Sequence, residues 1–179
     1  QNGSFFDISD NDFEILLTTF DYTLNTTEAN QEVCQPDDAV YTIDVGSIGG
    51  YSDDVSLSLS GLPLGASAVF ASDLISPPGS TTLTISGSQD VLAAGYNISV
   101  EGLSTSGTKS LDLEYIVLDD TLSPVVLNLP ENAADGISLS PTLVWESAGF
   151  GVSYTIELAS DESFTNLVQT YENWSNTSI

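Results

Sequence analysis

The chain is 179 residues long, and its 26 Asp and Glu residues against a single Lys give it a formal net charge of −25. Nucleic acid is excluded as a partner, because a phosphate backbone is bound chiefly by Lys and Arg and Lys109 is the only such side chain. The absence of His and the single Cys exclude a Ser-His-Asp or Cys-His centre and a zinc site built from several His or Cys ligands.

The first predicted element lies within residues 1–18. Phe13, Ile15 and Leu17 alternate there with other residues, so that every second side chain is apolar. This pattern predicts one strand ahead of the first complete domain.

Six stretches of the middle region alternate apolar and polar side chains, which puts one face of each strand inward and the other in water. Turn residues such as those of Gly61 to Gly65 separate them, as is typical of an antiparallel β-sandwich. A single helical turn is expected at Asp90 to Ala94. The six predicted strands are Ala39 to Val45, Val55 to Ser60, Ala66 to Ala71, Thr81 to Ser86, Gly95 to Glu101 and Lys109 to Val117.

A polar stretch that ends in a proline, residues 119–123 followed by Pro124, predicts a linker. Residues 124–179 after it again have the composition of strands. Four strands are too few to cover both faces of a sandwich, so this unit is expected to be partial. Its predicted strands are Val125 to Leu129, Thr142 to Trp145, Ser153 to Leu158 and Leu167 to Tyr171.

Three parts of the sequence resemble modules of one class of secreted protein, the Bacteroidota reprolysin-like zinc metalloproteases. Residues 2–15 resemble the closing strand of the β-sandwich that follows the catalytic domain. Residues 33–43, 60–65, 77–85 and 94–100 look like an immunoglobulin-like module found downstream in such proteins. Residues 130–166, with the runs Ser140 to Trp145 and Tyr154 to Phe164, resemble the first half of a fibronectin type III repeat.

The resemblance implies an all-β chain of tandem antiparallel sandwiches. Residues 1–18 would close a preceding sandwich, 19–118 would be immunoglobulin-like, and 124–179 would be a partial fibronectin type III-like domain after the 119–123 linker. It also implies export through a C-terminal sorting domain, which this sequence does not contain. The metalloprotease motif His-Glu-x-x-His cannot occur in a chain without His, so any catalysis of the parent protein lies outside these residues.

Carboxylate clusters make calcium the one cofactor that the residues suggest, since Ca²⁺ prefers hard oxygen ligands. An EF-hand is rejected, because the glycine and the distal glutamate of that loop are missing after Asp10. The alternative is that these carboxylates are turn residues and solvated charges. The candidate ligands are Asp7, Asp10, Asp12 and Glu14, the pairs Asp37 with Asp38 and Asp53 with Asp54, and Asp119 with Asp120 in the linker.

The linker also holds a candidate modification site. The triplet Asp120-Thr121-Leu122 is similar to the acceptor for O-linked glycosylation in secreted Bacteroidota proteins. Thr121 is therefore predicted to carry an O-glycan.

Other reactive or aromatic residues are expected to be structural. Cys34 is predicted to be a small buried hydrophobe rather than a pairing or metal-binding thiol. Trp145 is predicted to lie in the core, and Trp174 to be a candidate exposed aromatic. Tyr51, Tyr96, Tyr115 and Tyr154 are expected to pack rather than to bind a ligand.

The sequence thus favours a non-catalytic spacer or accessory module of a secreted or surface-displayed bacterial protein, with a metalloprotease as the implied parent. Its 43 Ser and Thr and its acidic excess suit an extracellular, salty or calcium-containing setting. Adjacent domains, a protein or polysaccharide substrate, or a cell surface are the expected partners. No apolar run is long enough to predict a membrane span.

One alternative is a filament or adhesin subunit in which neighbouring chains exchange strands. Its motivation is the orphan strand of residues 1–18 together with the partial second unit. A third possibility, an enzyme that uses paired carboxylates, has little support because 26 acidic residues will form such pairs by chance.

Overall fold

The structure is a computed structural model, and it describes residues 19–179. The predicted strand of residues 1–18 lies outside the described residues. Nine strands form the first unit, residues 19–118. They are β1 (Asp21–Asn25), β2 (Asn30–Cys34), β3 (Ala39–Ile48), β4 (Val55–Ser60), β5 (Ser67–Phe70), β6 (Leu74–Ile75), β7 (Gly79–Ser86), β8 (Ala94–Ser104) and β9 (Gly107–Leu118).

Two facing sheets make this unit an immunoglobulin-like β-sandwich. Sheet one has the order β1-β3-β7-β5, and sheet two has the order β2-β9-β8-β4-β6. This arrangement confirms the predicted fold class, with one exception to antiparallel pairing. β2 runs parallel to β9 because the chain crosses from sheet one to sheet two after β1 without reversing its direction.

The core lies between the sheets and follows the predicted period of two. In β3, Tyr41, Ile43 and Val45 are buried, while Val40 and Thr42 face outward. Such burial of alternate apolar side chains drives the pairing of the two sheets, at roughly 25 cal/mol per Å² of apolar surface removed from water.

Tyrosine hydroxyls also tie the sheets together. Tyr22 of β1 donates to the carbonyl groups of Gly102 and Gly107, which belong to sheet two. Tyr41 of β3 donates to the carbonyl oxygen of Glu114 in β9 at 2.8 Å. The two sheets therefore share hydrogen bonds as well as apolar contacts.

All six strands predicted in this unit are present, with ends that differ by up to three residues. β1, β2 and β6 were not predicted, because each is short and buries only one or two apolar side chains. The predicted helical turn at Asp90 to Ala94 is wrong in position. A single 3₁₀ turn spans Ser88–Asp90 instead, after Gly87 in the left-handed region at φ 86°.

The second unit, residues 124–179, consists of two ribbons. One pairs β10 (Leu127–Leu129) with β11 (Val144–Trp145), and the other pairs β12 (Tyr154–Ala159) with β13 (Leu167–Trp174). Trp145 is buried as predicted, and its ring meets that of Tyr154 edge to face at 5.5 Å. The four predicted strands are thus present, in a unit that has less buried core than the first.

Candidate functional site: the joint between the two units

The two units meet at a joint formed by residues 118–123 and the loop 147–151 that follows β11. Asp119, just past the end of β9, accepts a hydrogen bond on Oδ2 from the N–H of Phe150 at 3.3 Å. The N–H of Ser123 donates to the carbonyl oxygen of Ala148 at 2.8 Å. Contacts at both ends of the 119–123 linker therefore fix it to the second unit.

Two glycines of the loop allow the backbone to come close to the first unit, at Gly151, and to the linker, at Gly149. A Cβ atom added to Gly151 would lie 2.7 Å from Cδ2 of Leu118, which is closer than real Cβ contacts. One added to Gly149 would lie 3.1 Å from Oδ2 of Asp119 and 3.5 Å from Cδ2 of Leu122. Gly151 also has a positive φ of 73°, which side chains disfavour.

The second unit holds the same loop from its other side. The N–H of Ala148 donates to the hydroxyl of Tyr154 at 3.1 Å, and that hydroxyl also contacts Oγ of Ser147 at 3.4 Å. These hydrogen bonds with Ser147 and Ala148 lower the pKa of Tyr154. Ala148 is buried, whereas Ser147, Phe150 and Gly151 are exposed, so the loop is anchored through Ala148.

The predicted calcium ligands fall in three different settings. Asp7, Asp10, Asp12 and Glu14 lie outside the described residues. Asp119 is partly buried in the joint, whereas Asp120 is exposed. Within residues 19–179, no three acidic or Cys side chains come together as a metal site would require. Calcium at Asp119 and Asp120 stays a prediction.

The other two acidic pairs lie between strands. Oδ2 of Asp53 accepts from the Thr105 hydroxyl at 2.5 Å, and Oδ1 of Asp54 accepts from the Ser76 hydroxyl. The N–H of Asp37 donates to the carbonyl oxygen of Cys34 at 2.8 Å. The side chains of Asp53 and Asp54 are thus hydrogen-bonded to hydroxyl groups of other segments, and calcium at either pair stays a prediction.

Thr121 is exposed in the linker, so its hydroxyl is accessible to a modifying enzyme. Whether it carries a glycan stays a prediction. The prediction for Cys34 is wrong, because this residue is exposed on edge strand β2 while its neighbour Val33 faces the core.

Two clefts were not predicted from the sequence. The first, of about 500 Å³, lies at the end of the first unit that is remote from the joint, and Phe20, Tyr51, Asp53, Thr105 and Ser106 line it. The Tyr51 hydroxyl joins a hydrogen-bonded network there with Ser104, Thr105 and the N–H of Ser106. The residues that line this cleft lie mainly in two turns. Turns have no periodic pattern of side chains, so the sequence does not predict a cleft there.

The second cleft lies in the second unit and is mostly apolar. It has a volume of about 420 Å³ between the two ribbons. Its lining includes Val125, Leu127, Trp145, Ile156 and Leu158. Within the described residues, this cleft is open to solvent.

Among residues 19–179, no helix has the length and apolar character needed to cross a bilayer.

No protein-family model matches the chain, and no curated protein matches it either. Among solved structures, the chain is similar to domains 4 and 5 of the S-layer protein SbsC, with 14% identity, a TM-score of 0.43 and coverage of 56% of this chain and 53% of that one. A longer segment, rSbsC(31-844), has 10% identity, a TM-score of 0.44 and coverage of 88% and 22%. An I-band fragment of titin has 7% identity, a TM-score of 0.42 and coverage of 89% and 57%.

Proposed function

We propose that this chain is a non-catalytic spacer within a larger secreted or surface-displayed protein. The observation that carries the proposal is the joint, where the linker hydrogen-bonds to the second unit and Leu118 of the first unit lies next to Gly151. A spacer needs a defined length and direction, and these depend on packed elements and a short, fixed linker. The carboxylates of the described residues lie in turns and on outer faces, as expected of a module whose role is mechanical.

An extracellular setting is supported by the composition. A net charge of −25 with one Lys repels itself at low ionic strength, and salt screens this repulsion. A surface of hydroxyl and carboxylate groups is suited to such a setting. An antibody against this chain should label intact source cells or the culture medium, and signal found only after lysis would contradict the proposed location.

A zinc metalloprotease is the proposed parent, on the strength of the sequence resemblance. The chain itself lacks the His residues of the motif, so the catalytic helix would lie elsewhere in the polypeptide. The sequence on both sides of this chain tests the proposal. A His-Glu-x-x-His segment upstream would support the proposed parent, and a catalytic domain of another class there would contradict it.

Turnover assays test the absence of catalysis. The purified chain should leave casein and a panel of polysaccharides intact over long incubation. The same preparation is checked for folding by far-UV circular dichroism, so that inactivity is not due to unfolding. Hydrolysis that survives repurification would overturn the proposed role.

A strand-exchanging subunit of a filament or adhesin is the second candidate. The open apolar cleft between the ribbons favours it, because an added strand would cover side chains such as Leu127 and Ile156. Size-exclusion chromatography with light scattering over a range of concentrations separates the two proposals. The spacer predicts a monomer at all concentrations, whereas donated strands predict polymers that grow with concentration.

A further inference from the structure

We infer that the 147–151 loop is a docking surface for the end of β9, and that this docking fixes the orientation of the two units without a bound cation. The inference rests on the proposed spacer function and explains how a spacer with a short linker would keep its direction. It differs from the sequence prediction, in which a cation at Asp119 and Asp120 stiffens the linker.

The loop is held by the linker and by its own unit, and it approaches the first unit at Leu118, next to Gly151. Asp119 and Ser123, on the linker side, each hydrogen-bond to the backbone of the loop. On the other side, Tyr154 accepts from Ala148 and packs against Trp145. A movement of the loop away from residues 118–123 would break both linker contacts and separate Gly151 from Leu118, while leaving the anchor at Tyr154 intact.

Gly151 lies close to the end of the first unit. Leu118 occupies the space next to Gly151, where any Cβ atom would overlap its Cδ2 atom at 2.7 Å. The backbone of the loop at Gly151 therefore lies close to the side chain of Leu118, the last residue of β9. A methyl group at this position would require the Leu118 side chain to move away from the loop, which would remove this contact across the joint.

The hydrogen-bond partner of Asp119 is an uncharged group. Its Oδ2 atom accepts from a neutral backbone N–H rather than from a cationic side chain. An amide oxygen can accept the same hydrogen bond, so Asp119→Asn keeps the contact and removes the charge. Asp119→Ala removes both. A cation, in contrast, would need the carboxylate charge.

The experiment measures the distance between one spin label on each unit of the full chain. Labels at Ser58→Cys in β4 and Thr170→Cys in β13, both exposed positions, are introduced in a Cys34→Ser background. Double electron-electron resonance then gives the distribution of distances, in EDTA and in millimolar CaCl2. We expect one narrow maximum that is the same in both buffers.

Variants then separate docking from its alternatives. Gly151→Ala and Asp119→Ala should broaden the distribution so that it loses its single maximum. Asp119→Asn should leave it narrow. Gly136→Ala is the matched control, because Gly136 has a similar φ of 69° but no atom within 4 Å of an added Cβ. Asp120→Ala is the control for loss of charge in the linker.

Two results would overturn the inference. A distribution that is broad in EDTA and narrow in CaCl2, with Asp119→Asn broad in both, would show a cation-dependent joint. A broad distribution in both buffers would show a free linker. The fluorescence of Trp145 and Trp174 shows whether each variant keeps the second unit folded, and Asp119→Ala remains informative if Gly151→Ala does not fold.

These results are separate from a failure of the proposed function. The spacer proposal fails by catalytic turnover, by an intracellular location or by polymer formation. A free linker would leave all three of those measurements unchanged.

Discussion

Nζ of Lys109 lies 2.7 Å from Oδ2 of Asp21, and this ion pair joins β9 of sheet two to β1 of sheet one. The same ammonium group lies 5.3 Å from the centroid of the Tyr22 ring, which is within the range of a cation–π contact. The hydrogen bond from Lys109 holds the pKa of Asp21 below its usual value. The single cation of the sequence thus lies where the first strand meets the opposite sheet.

Replacing this cation should destabilise the first unit in a pH-dependent way. The pKa of Asp21 is lowered in the folded state, so its contribution is present above the unfolded value of 3.8 and is lost as the pH falls through the folded value. Lys109→Met should therefore lower the urea midpoint at pH 7, and lower it progressively less as the pH falls below 3.8. Far-UV circular dichroism gives the midpoint at each pH.

The double variant supplies the control for this comparison. In an Asp21→Asn background, Lys109→Met should have a small effect at all of these pH values, because no carboxylate remains at position 21 to lose its partner. An equal loss in both backgrounds would mean that Lys109 acts only through Tyr22 or through the overall charge.

Salt should stabilise the folded chain. With a net charge of −25, mutual repulsion of surface carboxylates opposes compaction, and the Debye length falls from about 30 Å at 0.01 M salt to about 3 Å at 1 M. We expect the melting temperature to rise over this range in NaCl. Equal concentrations of KCl should give the same rise, whereas a rise specific to CaCl2 would indicate a bound divalent cation.

The predicted strands succeeded where alternation was long enough to leave a pattern. β3 and β4 each place two or three large apolar side chains on one face and mainly polar side chains on the other. This alternation predicts a strand of a sheet that is buried on one face and solvated on the other. β1 and β2 lack this signal. Asp21 and Asn25 at the ends of β1 have the composition of a turn, and β2 buries only Val33. Pairing with β3 and β9, which the local sequence does not encode, makes them strands.

Cys34 illustrates the same limit at the level of one residue. Composition favours burial of a free thiol, but the register of β2 against β9 places Val33 on the inner face and Cys34 outside. Its side chain was therefore assigned to the wrong face, because β2 was not predicted as a strand.

The exposed thiol leads to a prediction about reactivity. Cys34 should react with N-ethylmaleimide, a neutral reagent, at the same order of rate in the folded chain as in urea. The dianionic Ellman reagent should react more slowly at low salt and faster as NaCl is added, because the protein is strongly negative. Labelling is measured by mass spectrometry. A thiol that reacts only in urea would contradict its exposed position.

The joint was predictable only in part. A polar linker that ends in Pro124 marks its place, and Asp119 was singled out as a possible ligand. The partners of Asp119 were not predictable, since Phe150 is 31 residues away and donates through its backbone. Gly149 and Gly151 look like ordinary turn residues in the sequence, and only the approach of Leu118 gives them a further role.

Two buried tyrosines, Tyr41 and Tyr115, face the same core but differ in the hydrogen bonding of their hydroxyl groups. The Tyr41 hydroxyl donates to the Glu114 carbonyl oxygen at 2.8 Å. The Tyr115 hydroxyl is buried and has no hydrogen-bond partner among residues 19–179. Burial raises the pKa of both hydroxyl groups, so both stay protonated at neutral pH.

Removing these two hydroxyl groups should have opposite consequences. Tyr41→Phe leaves the Glu114 carbonyl without this donor and should cost about 1 to 2 kcal/mol of unfolding free energy. Tyr115→Phe removes a polar atom that lost its water without gaining a partner, so it should be neutral or stabilising by up to about 1 kcal/mol. Urea unfolding followed by far-UV circular dichroism and tyrosine fluorescence measures both.

The two variants control for each other, because each removes one oxygen atom from a buried ring of the same sandwich. Both tryptophans lie in the second unit. If the two units unfold independently, the urea midpoint measured by tryptophan emission should therefore be the same in both variants as in the unchanged chain. Equal losses for the two variants would mean that Tyr115 has a partner in solution, such as a buried water molecule, and that the core holds two polar links rather than one.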